Sequence, residues 1–322
     1  MQYAINIDNF IESTRDIVYL REVDRIMIVR PNKIQHLNET AFKMMSHLYG
    51  DKNNDSSLII DHLAQEYRIS KNIIYTDVIK LLKSVEAIMK ENYGQACMVT
   101  TIPFDPSKIT YPVLSEIALT YNCQNKCDFC YASSPHRGNE LQEMNTDEVK
   151  TIIKKIKEQA HVPTISFTGG EPTLRKDLPE LIKYASSLGM RTNLITNGIQ
   201  CADKNFVNEL KQSGLHSAQV SLESHDKTVH NRIVNNSSAY ASVIQGIHNL
   251  KNINIHTHTN TTICHNNKDC LIPLVNFLKD EFKAEYLSMN MIIATGIARD
   301  NNNIELSYST IKSIIEPVID HC

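Results

Sequence analysis

From residue 113 onward, short apolar segments alternate with segments of helical periodicity, and this alternation constrains the fold more than any other sequence feature. Strands joined one after another by helices run parallel with right-handed crossovers, and they place functional sites at their carboxyl ends. Six βα units predict an α/β fold, a partial and open (β/α)6 barrel over residues 113–322. The predicted strands are 114–120, 163–168, 191–196, 217–222, 254–263 and 285–294, and the predicted helices are 146–159, 177–188, 203–212, 240–251, 269–282 and 307–320.

Residues 1–95 differ from the rest of the chain in their pattern of apolar and polar residues, and they are predicted to form a separate small module. Two apolar segments, 16–20 and 25–29, flank Glu22-Val23-Asp24, which is typical of a β-hairpin. Three helical stretches follow the hairpin, and they begin near Asn38, Ser57 and Lys71. This order of elements favours a small α+β module of the winged helix-turn-helix type.

Modules of this kind often bind DNA, so the local charge decides between possible partners. Residues 1–97 hold 12 Lys and Arg against 13 Asp and Glu, a net charge of 12 − 13 = −1. A DNA-binding module needs cations to neutralise phosphates, and this one has no cationic surplus. The alternative is an exposed strand edge that binds a peptide by main-chain hydrogen bonds. Residues 96–112, which are proline-containing and without helical period, are interpreted as a linker.

The composition of the whole chain narrows the class of protein further. The formal charge is −3, and 42% of the residues are hydrophobic, which is ordinary for a globular protein. No apolar run reaches the roughly 18 residues that a membrane helix needs, and the N-terminus has no signal-peptide pattern. We expect a cytoplasmic protein that binds neither membrane nor nucleic acid.

Three of the eight cysteines lie within eight positions, directly after the first strand of the predicted barrel. Cys123, Cys127 and Cys130 have the spacing CxxxCxxC in a polar loop. Three thiolates on one short loop can each bind one iron of a cubane cluster, which leaves a fourth iron without a protein ligand. The alternative is a four-coordinate zinc site completed by His136 or a more distant histidine.

A second polar motif follows the second predicted strand. The segment ISFTGGEPTLR places Gly169, Gly170, Glu171 and Pro172 at the carboxyl end of that strand, beside the cysteine loop. Two glycines allow a ligand to approach the backbone closely, and the glutamate offers an acceptor for an ammonium group. We therefore expect one site to contain both motifs.

Together these motifs resemble those of the radical S-adenosylmethionine (SAM) enzymes. The resemblance rests on the three cysteines, Phe129 before the last of them, and the Gly-Gly-Glu-Pro segment about 40 residues later. In that family the cysteines hold a 4Fe-4S cluster, and SAM binds the free iron through its amine and carboxylate. The resemblance implies that Phe129 packs at the adenine and that residues 169–172 bind the methionyl amine. It also implies SAM contacts from strand ends three and four, by Asn197, Ser221 and Glu223, and from Arg232 in the segment DKTVHNRI.

The N-terminal module resembles the recognition element that binds leader peptides of ribosomally made, post-translationally modified peptides. Its most telling stretch is Leu37-Asn38-Glu39-Thr40-Ala41. With both features, the chain resembles the SPASM-family peptide maturases. Those proteins often continue into a domain with auxiliary iron-sulfur clusters. This sequence stops at Cys322 without such a cysteine group, so that domain is either lacking or truncated.

The sequence hypothesis is a peptide maturase that abstracts hydrogen with a radical derived from SAM. Its partners would be a precursor peptide at residues 1–95 and an electron donor protein, and no catalytic side chain is predicted beyond the cofactor ligands. One alternative keeps the radical chemistry but takes a small molecule, such as a cofactor precursor or a tetrapyrrole of haem biosynthesis. The alternative from another class is a zinc-containing winged-helix regulator.

Overall fold

The computed structural model describes residues 5–29, 33–50, 55–92, 94, 98, 110–134, 142–301 and 303–322. The chain divides into two compact units, residues 1–113 and 114–322. Most of the segment 96–112, with Cys97, and His136 of the zinc hypothesis lie outside the described residues.

The first unit consists of a three-stranded antiparallel sheet and four helices. Its strands have the order β1-β2-β3, and the predicted hairpin is confirmed as β1 with β2. Two elements were not predicted: the short polar strand β3 and the first helix, whose N-cap is Asn6. The bounds are α1 Ile7–Thr14, β1 Val18–Arg21, β2 Ile26–Val29, β3 Lys33–His36, α2 Glu39–Tyr49, α3 Ser56–Tyr67 and α4 Lys71–Met89.

A buried arginine joins the hairpin to the end of this unit. Arg21 is 2% exposed and forms an ion pair with Asp24 at 2.8 Å. Its guanidinium also donates to the backbone carbonyls of Tyr111, at 2.9 Å, and Pro112, at 2.6 Å. A buried charge is tolerated when it is paired and hydrogen-bonded, so these contacts hold residues 111–112 against the hairpin.

The second unit is built on one six-stranded parallel sheet of order β4-β5-β6-β7-β8-β9. The six predicted βα units are confirmed, and a short additional helix, α8, lies between β7 and α9. The bounds are β4 Leu114–Thr120, α5 Thr146–Glu158, β5 Thr164–Gly169, α6 Leu178–Ser187, β6 Arg191–Thr196, α7 Lys204–Gln212, β7 Ser217–Ser221, α8 Lys227–Ile233, α9 Ala239–Asn252, β8 His256–Ile263, α10 Leu271–Phe282, β9 Leu287–Met291 and α11 Tyr308–His321.

The two faces of this sheet differ in polarity. On β4, Ile117 and Leu119 are buried in the core beneath the helices, whereas Glu116 and Ala118 are exposed on the other face. Successive side chains of a strand point to opposite faces, so the second face forms the inner wall of the open barrel. That wall is polar: Asn193 of β6 donates to Ser166 and accepts from Ser217 on the neighbouring strands. No helix among the described residues is long and apolar enough to cross a membrane.

Candidate active site

A cavity of about 460 Å³ lies at the carboxyl ends of the parallel strands. It brings together most of the site residues that the sequence predicted. Nine of them line it: Cys123, Cys127, Phe129, Cys130, Gly169, Gly170, Asn197, Ser221 and Glu223. Three predicted residues do not: Glu171, Pro172 and Arg232.

The cysteine loop is held in place by the end of α8. The backbone N–H of Lys126 donates to the carbonyl of Val234 at 3.0 Å, and that of Asp128 donates to Ile233 at 3.2 Å. Asn235 adds a side-chain bond to the carbonyl of Lys126 at 2.9 Å. The loop therefore owes its conformation to main-chain contacts with a helix more than 100 residues away.

The spacing of the three thiols distinguishes between the two metal hypotheses. Among the described residues, the one group of three or more ligand atoms within 4.8 Å of each other is His47, His62 and Glu66, so the three cysteine sulfurs spread wider than that. A tetrahedral zinc site with Zn–S bonds of about 2.3 Å requires sulfurs about 3.8 Å apart. The wider spacing suits a cluster whose cysteines bind separate irons.

The thiols also need a cation to become ligands. Burial raises the pKa of Cys123 to about 11, and burial raises the pKa of Cys127 well above its ordinary value. Thiolates are the metal-binding form, and bound metal ions stabilise that form. The loop is therefore suited to bind iron and poorly suited to present a free nucleophile.

The backbone at Gly169 and Gly170 packs closely against the segment that leads into the cysteine loop. Gly170 N–H donates to the carbonyl of Thr120 at 2.7 Å. A Cβ on Gly170 would lie 2.5 Å from the carbonyl oxygen of Asn122 and 2.7 Å from Ser134 Oγ, and Gly169 has a φ of +139°. Both positions require glycine because a side chain would push away the segment that leads into Cys123.

Glu171 does not line the cavity, and its expected role in binding an ammonium group stays a prediction. It is fully buried, and its Oε1 accepts from the Thr173 N–H and from the Thr173 and Thr196 hydroxyls. Its Oε2 accepts from the Asn197 N–H at 2.7 Å. The carboxylate joins two neighbouring strand ends and so positions Asn197, while Pro172 begins a 3-10 turn behind the cavity wall.

Arg232 also lies outside the lining of the cavity. Its side chain is exposed, and its Nη2 lies 3.5 Å from the carbonyl of Asn266. It lies on α8, which turns this side chain to the surface. Its pairing with the SAM carboxylate stays a prediction.

Asn197 and Glu223 both line the cavity, and each presents a different polar group to it. The Asn197 amide lies 3.8 Å from Cys123 Sγ and donates toward it. Glu223 is 1% exposed, and one of its oxygens accepts from the Thr262 N–H at 2.8 Å. Burial raises the pKa of Glu223 to about 8, so its neutral form is favoured at pH 7.

His230 is one of the cavity residues that sequence reasoning missed. It is 1% exposed, and its Nδ1 accepts from the backbone N–H of Glu223 at 3.1 Å. The proton is thereby assigned to Nε2, which has no partner among the described residues although the residue lines the cavity. The available signal was Asp226, a good N-cap that predicts a short helix carrying His230 beside the fourth strand end.

We expect this histidine to make the unit sensitive to acid. Burial lowers the pKa of His230 to about 4, from 6.5 for an ordinary histidine. The unfolded chain therefore binds more protons between pH 6.5 and 4, and stability falls as the pH falls through that range, by about 3 kcal/mol. His230→Asn, whose Oδ1 can still accept from the Glu223 N–H, should remove this loss in urea unfolding followed by circular dichroism. Exposed His265→Asn is the control, and equal acid sensitivity of His230→Asn and the unaltered chain would contradict the prediction.

Comparison with known proteins identifies the superfamily of this chain. The Radical SAM superfamily profile matches residues 117–278, half of the chain, so the chain belongs to the radical SAM superfamily. Members of this superfamily use a 4Fe-4S cluster and SAM. This assignment excludes the zinc-containing regulator as a description of the chain.

Curated relatives are similar over part of their length. The chain is 30% identical over 177 residues to the 7,8-dihydro-6-hydroxymethylpterin dimethyltransferase of Methanocaldococcus jannaschii, covering 52% of this chain and 35% of that protein. It is 31% identical over 203 residues to the Fe-coproporphyrin III synthase of Methanosarcina barkeri, covering 63% and 49%. The chain thus spans a third to a half of these relatives.

Among solved structures, Streptococcus suis SuiB bound to precursor peptide SuiA has a similar fold. The TM-score is 0.64 at 18% identity, and the match covers 95% of this chain and 69% of SuiB. At 18% identity, this match shows a shared fold and nothing more. Because the match covers 95% of this chain, it includes elements of both units.

The described residues fit the superfamily's cofactors. Three thiols of one loop face a cavity. Two buried polar atoms of cavity-lining residues, Ser134 Oγ and His230 Nε2, have no partner in the described ranges of the chain. Buried polar groups are ordinarily hydrogen-bonded, so these two atoms mark places where a bound molecule would complete the site.

Proposed function

We propose that this chain is a radical SAM peptide maturase: it cleaves SAM reductively and abstracts hydrogen from a ribosomally made precursor peptide during its modification. Residues 1–95 would bind the leader segment of that peptide. The observation that carries the proposal is the fold likeness to a peptide-bound maturase over 95% of the chain, which includes the N-terminal unit as well as the barrel.

The first unit offers a suitable edge for a peptide strand. In the described part of the chain, β3 pairs with β2 on one side and with no strand on the other. Its four residues are half-buried to exposed, and Lys33 Nζ at its start donates to the carbonyl of Ile88 at the end of α4. A strand edge fixed beside a helix can accept an extended peptide through main-chain hydrogen bonds.

The proposed division of labour in the barrel follows from the site. The cluster and SAM, when bound, would supply the radical chemistry that removes a hydrogen atom from the substrate. Cys123, Cys127 and Cys130 would bind three irons, and Gly169 and Gly170 hold their loop at the cavity. Asn197, Ser221 and Glu223 would present polar groups for SAM, Phe129 lines the same cavity, and His230 adds an N–H donor. The buried setting keeps water from a reactive intermediate.

A pair of proline substitutions on β3 tests peptide binding. Ile34→Pro and Gln35→Pro each remove one N–H, and consecutive N–H groups of a strand point to opposite sides. The variant that loses the outward N–H should keep its thermal stability and bind a fluorescent leader peptide at least tenfold more weakly in anisotropy titrations. The other variant should lose stability, because it loses a bond to β2.

Both proline variants should keep their iron content and their peptide-independent cleavage of SAM, since the cysteine loop belongs to the other unit. The leader would be synthesised from a short reading frame beside the gene. Undiminished peptide binding by both variants would remove β3 as the binding edge. Failure of the unaltered chain to bind any such leader would remove the proposed function.

Small-molecule chemistry is the second candidate, because the similar curated proteins include an Fe-coproporphyrin III synthase and an AdoMet-dependent heme synthase. A tetrapyrrole substrate would accelerate deoxyadenosine formation without any peptide. Incubation of the reconstituted chain with iron coproporphyrin III distinguishes the two candidates. Stimulation by the porphyrin favours the second, and stimulation by peptide alone favours the first.

The remaining expectations belong to the same proposal. We propose that the enzyme works in the cytoplasm and receives its electron from a donor protein. The likeness to SPASM-family maturases also stays a proposal, tested by searching the surrounding gene for an auxiliary-cluster domain.

A further inference from the structure

The charged groups of the cavity are unevenly distributed. Among the described residues that line it, none is lysine or arginine. Four side chains other than the thiols can ionise: Glu116, Tyr131, Glu223 and His230. Glu223 and His230 are buried, and burial shifts the pKa of each toward its neutral form at pH 7. Glu116 is therefore the formal charge that the described wall presents to a ligand.

Glu116 lies on the inner wall of the barrel, before the end of its strand. It is on β4 four residues before Thr120, where the strand ends, which is about 13 Å at 3.3 Å per residue. The cysteine loop and the glycines lie at and beyond that end. Glu116 thus lines the cavity from the interior of the barrel.

The carboxylate of Glu116 has no partner among the described residues. No hydrogen bond or ion pair joins it to another side chain or to the backbone, and the residue is exposed to the cavity. Asn193 on the same polar wall is by contrast bonded to Ser166 and Ser217, and Asn260 to Asn290. These interior amides are hydrogen-bonded, whereas the Glu116 carboxylate has no such bond within the described part of the chain.

An aromatic side chain lines the same cavity as this anion. Tyr131 follows Cys130 and is 58% exposed. The backbone of Tyr131 is fixed by the neighbouring loop, because Ile297 N–H donates to the Cys130 carbonyl at 3.0 Å and Gly296 packs against the Tyr131 carbonyl. A carboxylate beside an aromatic face suits a cation.

We propose that Glu116 and Tyr131 form a subsite for a positively charged side chain of the substrate, a lysine or an arginine. The inference rests on the proposed function, since it names which part of a peptide the barrel takes. The described part of this wall fits poorly with an anionic substrate, because it contains no lysine or arginine to pair with propionates or phosphates.

Ligand-observed NMR titrations of the reconstituted full chain with SAM test the subsite. The probes are N-acetyl-L-lysine methylamide, its norleucine analogue, which has no ammonium group, and the glutamate analogue. The lysine probe should bind at least tenfold more tightly than the other two. Glu116→Gln should remove that preference, and Glu209→Gln, an exposed glutamate on α7, should keep it. Tyr131→Leu should weaken lysine binding severalfold.

Other outcomes would overturn the subsite. These are equal binding of the lysine and norleucine probes, a preference for the glutamate probe, or an unchanged preference in Glu116→Gln. A loss of SAM binding in Glu116→Gln, measured by equilibrium dialysis, would assign the carboxylate to the cofactor instead.

The two proposals fail separately. A chain that modifies a leader-bearing peptide but shows no lysine preference keeps the proposed function and loses the subsite. A chain that prefers the lysine probe but binds no leader peptide loses the proposed function and keeps the cation subsite.

Discussion

Cys127→Ala is expected to abolish SAM cleavage, with deoxyadenosine formation falling to about one thousandth of the unaltered chain or less. Cys127 is the middle cysteine of the loop and lines the cavity together with Cys123 and Cys130. Two remaining thiols cannot hold three irons, so iron and acid-labile sulfide should also fall from about four per chain toward zero. The measurements are metal analysis, the absorbance near 400 nm, and chromatography of deoxyadenosine under a strong reductant.

Cys270→Ala is the matched control for this experiment. Cys270 is a half-buried free thiol in the same unit, at the start of α10, and it does not line the cavity. Its replacement should keep about four irons and full cleavage. Retained cleavage in Cys127→Ala would refute the cluster assignment, and one zinc per chain without the 400 nm band would favour the zinc site.

Gly170→Ala should be nearly as damaging, although it changes no ligand. The added methyl carbon would lie 2.5 Å from the Asn122 carbonyl oxygen and 2.7 Å from the Tyr121 carbonyl oxygen, both backbone atoms. Backbone cannot rotate away as a flexible side chain can, so the segment leading to Cys123 must shift. A shift of about 1 Å in a ligand loop can reduce activity about a hundredfold, and we expect at least that loss, together with reduced iron content.

Gly189→Ala is the matched control, because it adds the same methyl group at a position where that group contacts nothing. Gly189 has a positive φ of +72°, but a Cβ there meets no atom within 4 Å. Its replacement should destabilise the chain by about 1 kcal/mol through backbone strain and leave the cluster intact. Circular dichroism should show both variants folded at 20 °C. Normal iron content and cleavage in Gly170→Ala would show that the cysteine loop tolerates the shift.

The barrel was predictable because its signals are local. Each strand of the second unit is a short apolar segment that ends in a turn, and each long helix has an apolar face, so the period of the sequence indicates the element. The elements that escaped prediction have weak local signals. Strand β3 is four residues long and largely polar, α8 has seven residues, and α1 follows an unremarkable polar start.

The site was predictable to the same extent, since residues close in sequence stay close in space. The CxxxCxxC spacing places three thiols on one loop independently of the rest of the fold. The Gly-Gly pair was predicted to be a place where the backbone is approached closely. What approaches the glycines, however, is the chain's own Thr120–Asn122 segment.

The sequence by itself determined the parallel sheet, the cysteine loop and the end of the barrel where chemistry takes place, because these follow from spacing along the chain. Tertiary structure alone decided which polar side chains face the cavity. Glu171 turns inward because donors 25 and 26 residues away meet it there, Arg232 turns outward on α8, and His230 faces the cavity because the Glu223 backbone orients its ring. Such directions depend on partners distant in sequence, so no local pattern can specify them.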